Sequence, residues 1–249
     1  MKFPPTSITM VTWGGFAPDW RILLKYSNIR RAVFLDRPNR FIANILLEGE
    51  VQICHVKNTG RCRELLLPGA EIYVQDCPKP ERKTKFDLIS VRKDGRLINI
   101  DSNAPNRIFS EWVISSGLFK DLRLLRRECT HGDSRFDFYL EADRQSIFVE
   151  VKGVTLEENG VVRFPDAPTE RGLKHLRGLI NCVNEGLSAY IVFIIQMQDV
   201  KYFEPNIATQ PEFAEALRDA KAAGVHILAL DCKVTESGIY ARNQVEVRL

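Results

Sequence analysis

Two short segments place acidic and basic side chains at the spacing of β-strands. Ser134–Leu140 contains Asp137, and Ile147–Lys152 contains Glu150 beside Lys152. Successive side chains of a strand point to opposite faces, so Glu150 and Lys152 share one face of their strand. If the two strands are antiparallel neighbours, we expect Asp137 to converge on the same point.

This set of groups predicts a particular chemistry. Two carboxylates a few Å apart repel each other unless a cation or a proton lies between them, and oxygen ligands favour Mg²⁺ or Mn²⁺. Such a metal polarises a phosphate oxygen and helps to generate hydroxide, while an adjacent ammonium orients the water. The pattern therefore indicates phosphodiester hydrolysis by Asp137, Glu150 and Lys152. The alternative is a solvated surface ion pair between Glu150 and Lys152.

Glu111 is a further candidate for a catalytic and metal-binding carboxylate. It lies on a helix predicted over Asn106–Ser116, directly before the two strands. The competing interpretation is an ordinary surface carboxylate of that helix.

A second helix, predicted over Thr169–Glu185, contributes basic side chains. Arg171, Lys174 and His175 cluster away from an apolar stripe on the same helix. The rigid segment before the helix would hold its N-terminus near the carboxylates, and a helix N-terminus with added cations favours phosphate. We therefore predict nucleic-acid contacts for these three residues, with a solvated basic face as the alternative.

The front half of the chain has its own basic group around a glycine turn. Arg40, Lys57, Asn58, Thr59 and Arg61 are candidates for binding a nucleic-acid backbone, because a glycine permits close approach and phosphate neutralisation supplies most non-specific affinity. Taken alone, the Asn-Thr-Gly sequence is also typical of a simple turn.

Short strands with turn signals predict a small β-barrel between about residues 28 and 102. Its strands include the alternating Phe41–Leu47 and a hairpin at Asp94-Gly95, and a helix is predicted at Arg61–Leu67. An OB-type barrel, whose curved face binds nucleic acids or oligosaccharides, fits this pattern. Three phenylalanines are candidates for stacking on bases, with core packing expected for at least two of them: Phe34, Phe41 and Phe86.

The second half alternates strands and helices, which predicts an α/β domain beginning near Ser102–Ala104. After the two carboxylate strands we expect a hairpin at Asn159-Gly160, a buried strand at Ala189–Gln196, a helix between Pro211 and Gly224, and a strand at Val225–Asp231.

Composition agrees with two folded domains of unlike charge. The chain has 249 residues and a net charge of +3; residues 25–102 carry 15 Lys and Arg against 10 Asp and Glu, and residues 103–249 carry 18 against 21. The six cysteines lack metal-binding spacing and are predicted to be reduced thiols. The longest apolar run has seven residues, too few for a membrane span, and no secretory signal is apparent. We therefore expect a cytoplasmic protein that does not bind membranes.

Several of these segments together resemble the sugar fermentation stimulation protein A family of prokaryotes. The resemblance extends from about Lys25 to the C-terminus. The motifs that carry it are Asn39–Phe41, Lys57–Cys62, Leu66–Gly69, Ser134–Phe138, Val149–Lys152 and the long Phe164–Gly172 with Lys174–Leu176.

The resemblance implies an N-terminal OB-fold domain over residues 25–103 and, over 104–249, an α/β domain similar to PD-(D/E)XK nucleases with a mixed central sheet. It also implies DNA binding and a role in regulating sugar use. Carrying the nuclease pattern over places Asp137, Glu150 and Lys152 in metal-binding and catalytic positions, with Glu111 at a helix carboxylate position. The family name records a phenotype rather than a reaction.

Residues 1–24 lie outside this resemblance. They are interpreted either as a product of an upstream start assignment or as an ordered accessory segment that uses Trp13 and Trp20.

Two functions from different classes follow. The first is a DNA-binding protein with a Mg²⁺- or Mn²⁺-dependent nuclease domain, acting on single-stranded, branched or duplex DNA. The second is a non-catalytic DNA-binding regulator of sugar utilisation on a nuclease-like scaffold. An RNA-processing role stays open because neither half shows a signature specific for the 2′-hydroxyl group. The oligomeric state does not follow from the sequence.

Overall fold

The computed structural model describes residues 24–58, 60–78, 81–82 and 84–249. The interpretation of the N-terminal extension and the candidate Thr59 therefore lie outside the described residues. Strands and helices follow in the order β1 Leu24–Lys25, β2 Ile29–Asn39, β3 Ile42–Leu47, β4 Glu50–Val56, β5 Glu71–Asp76, β6 Phe86–Lys93, β7 Arg96–Asn99, α1 Ala104–Ser115, β8 Leu122–His131, β9 Ser134–Ala142, β10 Gln145–Val154, β11 Leu156–Glu158, β12 Val161–Phe164, α2 Glu170–Asn184, β13 Ser188–Ile195, β14 Tyr202–Pro205, α3 Pro211–Ala223, β15 His226–Thr235 and β16 Gly238–Gln244.

The first sheet closes into the predicted OB-type barrel. Its order is β4-β3-β2-β5-β6-β7, and a parallel pairing of β4 with β6 joins the two sides. Alternate side chains of each strand fill the interior, where Phe34, Ala43, Ile45, Cys54 and Leu88 are at most 1% exposed. Period-two alternation therefore predicted this half correctly.

The helix predicted at Arg61–Leu67 is wrong. The segment is a turn in which the backbone N–H groups of Leu65 and Leu66 both donate to the carbonyl of Cys62. Cys62 has a positive φ of 45°, which a right-handed helix does not accommodate. Burial of Cys62 and Leu65 against the barrel explains the apolar spacing that suggested a helix.

The second half is a mixed seven-stranded sheet of order β1-β16-β15-β13-β10-β9-β8. The β10–β13 and β13–β15 pairs are parallel, while β8–β9, β9–β10 and β15–β16 are antiparallel. A separate three-stranded sheet, β11-β12-β14, contains the predicted hairpin at Asn159-Gly160. The predicted α/β architecture is confirmed.

Helices cover both faces of this sheet. On one face α1 packs through Phe109 against Phe138, with ring centroids 5.0 Å apart. On the other face α2 and α3 pack together, and Leu176, Leu179 and Phe213 are fully buried there. Because both faces are covered, β13 is a continuous apolar strand, as parallel strands at the centre of a sheet are.

The first and last strands of the described chain meet in this sheet. β1 pairs antiparallel with β16, through Leu24 with Ile239 and Lys25 with Gly238. The chain thus contributes to the α/β sheet before it enters the barrel. The two domains also contact through an ion-pair cluster in which Lys93 and Arg96 of the barrel meet Glu157.

No helix in the described part of the chain is long and apolar enough to cross a membrane. All six cysteines have free thiols, as predicted.

Candidate functional site

The candidate site lies where β9 and β10 separate. Their backbone pairing ends at Val149 with Phe138. Beyond this point, Oδ2 of Asp137 accepts the N–H of Val151 at 2.8 Å, so a side chain replaces the missing strand partner. The other oxygen, Oδ1, accepts from Nδ2 of Asn106 on α1 at 2.9 Å. Hydrogen bonds to both carboxylate oxygens therefore fix the position of Asp137.

Regular alternation fails at the same place. Phe138 packs on the α1 face of the sheet, whereas Phe136 packs on the α2 face, with its ring 6.1 Å from that of His175. The two phenylalanines were expected on one face. The separation of β9 from β10 allows the strand to twist between them, and Asp137 lies at that twist.

Glu150 is buried on β10, with 2% of its surface exposed. Its Oε1 atom lies 2.5 Å from Nζ of Lys152 and forms a second hydrogen bond with Nδ1 of His175. Its Oε2 atom is buried and has no hydrogen-bond partner among the described residues. An orphaned carboxylate oxygen is costly to bury, so a ligand of this atom would stabilise the site.

The two carboxyl groups differ in their electrostatics. Burial raises the pKa of Asp137, and the charge of Glu150 raises it further. Burial also opposes ionisation of Glu150, but the hydrogen bond from His175 and the charge of Lys152 outweigh it and lower the pKa of Glu150. The site thus holds an ionised Glu150 beside Asp137. A nearby positive charge would stabilise the ionised form of Asp137.

The sequence suggested that His175 lies on an exposed basic face of α2, but the structure does not place it there. It is buried, at 4% exposure, and its ring joins α2 to β10 through Glu150. The other ring nitrogen, Nε2, lies 3.5 Å from Nε of Arg171. The prediction of a direct nucleic-acid contact is corrected: in this structure the imidazole orients Glu150.

Glu111 is not brought to this group. Asn106 and Glu111 are five positions apart on α1, which at about 100° per residue separates their side chains by about 140° around the helix. Asn106 faces Asp137, and Glu111 instead lies 3.8 Å from Arg107. Within the described residues, no group of three or more His, Cys, Asp or Glu side chains is arranged around one metal position.

Arg171 and Lys174 are exposed, as expected, and line a groove of about 660 Å³ together with Arg177. The groove runs between α2 and the β8–β9 turn. Three carboxylates also line it: Asp133, Glu170 and Glu185. Its charges are therefore balanced, and its role in phosphate binding stays a prediction.

The glycine turn of the barrel is organised by Arg37. The guanidinium group donates to four backbone carbonyls, those of Arg40, Asn58, Gly60 and Arg61, at 2.6 to 3.0 Å. Oδ1 of Asn58 accepts the N–H of Gly60 at 2.8 Å, so Asn58 shapes the turn from within.

Lys57 has a different role from the one predicted. Its ammonium lies 3.2 Å from Asp87 and 3.4 Å from Asp101, and both carboxylates are buried. These two partners already neutralise it, and its contact with phosphate stays a prediction. Arg40 and Arg61, by contrast, are exposed on the barrel surface.

Two functional positions escaped the sequence analysis. Asn106 was placed only on a helix, and the spacing of residues gives no signal that links it to Asp137. Arg37 was not among the candidates of the glycine turn, although its side chain is directed at carbonyl groups of that turn. The adjacent Asn-Thr-Gly sequence, a tight turn whose carbonyls need donors, was the available signal.

Comparison with known proteins gives consistent matches over both domains. The family description "SfsA N-terminal OB domain" matches residues 35–100, and "Sugar fermentation stimulation protein RE domain" matches residues 103–238. The sugar fermentation stimulation protein homolog of Desulfitobacterium hafniense (strain Y51) is 58% identical over 226 residues, covering 91% of this chain and 99% of the relative. The homolog of Clostridium beijerinckii is 53% identical, with 91% and 100% coverage.

A solved structure is also similar to this chain. It is described as SfsA of Pyrococcus furiosus in complex with Ca²⁺. The two sequences are 31% identical, the match covers 91% of this chain and 99% of the other, and the TM-score is 0.83.

Proposed function

The chain belongs to the sugar fermentation stimulation protein family, and from this premise we propose that it binds DNA and hydrolyses phosphodiester bonds with Mg²⁺ or Mn²⁺. The observation that carries the proposal is the buried, unpartnered Oε2 atom of Glu150 beside Asp137 and Lys152. A surface ion pair would not be 2% exposed, nor would it leave one oxygen without a partner.

The residues present fit a divalent cation. Asp137 and Glu150 offer hard oxygen atoms, and Mg²⁺ commonly takes one or two carboxylates, with water and substrate phosphate completing its ligands. The related Pyrococcus furiosus protein was solved with Ca²⁺, another cation that binds oxygen. Asp137 and Glu150 would hold the cation, which supplies polarisation of a phosphate oxygen and a more acidic water.

The protein's own groups have distinct tasks in this proposal. Asn106 and the N–H of Val151 keep Asp137 in place, while His175 and Lys152 keep Glu150 ionised and oriented. The ammonium of Lys152 lies close enough to the carboxylates to orient an attacking water and to stabilise charge that develops on phosphate.

The test is cleavage of supercoiled plasmid with Mg²⁺, with Mn²⁺ and with EDTA. We expect metal-dependent nicking by the wild type and a loss of at least 100-fold in Asp137→Asn, Glu150→Gln and Lys152→Ala, by analogy with the removal of one group that acts on the transition state. Glu141→Gln, which changes an exposed carboxylate of the same strand as Asp137, is the matched control. Thermal melting of each variant confirms folding.

Wild type that binds DNA but never cleaves it with either metal would overturn the catalytic part of the proposal. That outcome would favour a non-catalytic DNA-binding regulator on the same scaffold. Cleavage that persists in Glu150→Gln would place the reaction elsewhere in the chain.

A further inference from the structure

A second basic surface, distinct from the groove along α2, lies on the barrel. It is a depression of about 460 Å³ lined by Arg37, Arg40, Arg61 and Arg63 around Gly60, and it is called the arginine depression below. No carboxylate lies among its described lining residues. The groove along α2, by contrast, has as many carboxylates as Arg and Lys side chains.

The arginines of this depression differ from the others of the barrel. Arg37 is occupied by the carbonyl groups of the turn, but Arg40, Arg61 and Arg63 form no ion pair among the described residues. Four other arginines of the barrel each pair with a carboxylate: Arg30 with Glu48, Arg31 with Glu71, Arg82 with Asp87 and Arg92 with Glu71. Three unpaired guanidinium groups around one depression present a site for phosphate.

An exposed aromatic ring lies beside the depression. Phe41 is 49% exposed, whereas Phe34 and Phe86, the other two candidates for stacking, are 1% and 6% exposed. The guanidinium carbon of Arg40 lies 5.5 Å from the centre of the Phe41 ring. An aromatic face next to unpaired cations is the combination that binds single strands, since a base stacks on the ring while its phosphate contacts the cations.

The glycine turn contributes to the depression through Gly60 and Arg61, and to a cavity near the candidate catalytic site through Asn58. The turn after Lys57 separates the depression from this cavity of about 120 Å³ between the two domains, lined on the turn's side by Asn58. The opposite wall contains Gly153 and Pro105, the neighbours in sequence of Lys152 and Asn106.

We propose that the arginine depression and Phe41 bind an unpaired strand of DNA, with one base on the Phe41 ring and its phosphates at Arg40, Arg61 and Arg63. The strand continues over the glycine turn towards Asp137, Glu150 and Lys152. A base within a duplex is stacked on its neighbours and has no free face for the ring. This inference rests on the proposed function, from which it takes DNA as the ligand. It predicts that the protein prefers single-stranded or branched substrates.

The experiment measures binding in EDTA, so cleavage does not enter. Fluorescence anisotropy compares an oligo(dT) strand with a blunt-ended duplex of equal nucleotide number. We expect Phe41→Ala to weaken binding of the single strand by about tenfold and to leave duplex binding unchanged, because stacking of one base accounts for about fivefold to 100-fold. Phe41→Trp keeps the affinity, and Ile53→Ala, another exposed apolar residue of the barrel, is the matched control.

The salt dependence tests the phosphate contacts. For single strands the slope of log K against log salt is about −0.7 per neutralised phosphate, so Arg61→Ala lowers the magnitude of the slope by about 0.7. Lys221→Ala, on α3, leaves it unchanged. Unaltered single-strand affinity in Phe41→Ala, or an equal loss on the duplex, overturns the inference.

These outcomes separate this inference from the proposed function. Plasmid cleavage together with unaltered single-strand binding by Phe41→Ala contradicts only the single-strand site. Absence of cleavage together with the expected binding changes contradicts only the nuclease.

Discussion

Nδ1 of His175 and Oε1 of Glu150 form a hydrogen bond that links the first half of α2 to the strand carrying the candidate site. Gly178, one turn further on, lets β9 approach the same helix closely: a Cβ there would lie 2.6 Å from Oγ of Ser134. Helix packing and carboxylate orientation therefore depend on the same contact surface.

Replacing His175 should weaken metal binding more than it destabilises the fold. With His175→Ala, Glu150 keeps Lys152 as its partner but loses the donor that sets its orientation, and we expect affinity for Mn²⁺ to fall about tenfold or more. His175→Asn, whose amide can donate from a similar position, should recover part of the loss. Titration calorimetry with Mn²⁺ measures both variants, with His131→Ala as the control; unchanged affinity in a folded His175→Ala protein contradicts the orienting role.

Replacing Arg37 by lysine should destabilise the barrel although the charge is kept. A compact ammonium cannot reach four carbonyl groups that a planar guanidinium reaches at once. We expect the free energy of unfolding to fall by about 2 kcal/mol, since several hydrogen bonds to exposed and half-buried carbonyls are lost and each contributes about 1 kcal/mol. Urea unfolding gives the value, and Arg63→Lys, at an exposed position in the same segment, should cost little. Equal stability of the two variants would argue against this role of the Arg37 guanidinium group.

The buried Asp87 should make stability depend on pH. Burial raises its pKa, but the hydrogen bond from Arg82 and the charge of Lys57 outweigh burial and lower the pKa overall. Its contribution is therefore complete above the ordinary value of about 3.9 and is lost as pH falls through the lower folded value. Asp87→Asn should cost about 3 kcal/mol at pH 7, because Arg82 loses its carboxylate partner and Lys57 loses one of its two.

The difference between wild type and Asp87→Asn should shrink as the pH falls below about 4. Urea unfolding between pH 3 and pH 7 follows it. Asp94→Asn, in an exposed turn with a positive φ that asparagine accepts, is the control. A difference that stays constant over this range would show that the ionised carboxylate of Asp87 is not the stabilising group.

A methyl group at Gly178 should destabilise the α/β domain. Alanine is the better helix former by about 1 kcal/mol, yet its Cβ would meet Ser134 at 2.6 Å and the ring of Phe136 at 3.0 Å. We expect a net loss of about 1 to 3 kcal/mol, the usual range for an overpacked core. Urea unfolding compares it with Asn181→Ala, an exposed position of α2, which should be neutral or stabilising.

The sequence predicted those parts of the molecule in which local periodicity and tertiary packing agree. Glu150 and Lys152 share a face because β10 is regular there, and the barrel strands alternate as expected. His175 was misplaced because α2 packs against both the sheet and α3, so its buried stripe is wider than the apolar spacing suggests. The position of Asp137 depends on the separation of two strands, which no local pattern encodes.

The partners of Glu111, Lys57 and Asn106 illustrate the same limit. Glu111 and Asn106 lie on a correctly predicted helix and Lys57 directly follows β4, but the group that each contacts comes from elsewhere around the helix or along the chain. Residue types suggested the chemistry that is proposed near Asp137, whereas only the assembled fold showed which charged groups are already neutralised, as Lys57 is by Asp87 and Asp101.

The pairing of Leu24 with Ile239 imposes an order on folding during synthesis. The barrel's strands lie close together in the chain, so it can form as soon as they have left the ribosome. The α/β sheet must wait for nearly the last residues, since its edge strand is made first and its partner last, and such distant contacts form slowly. A chain that stops before β16 would then present a finished barrel attached to an unfinished α/β sheet.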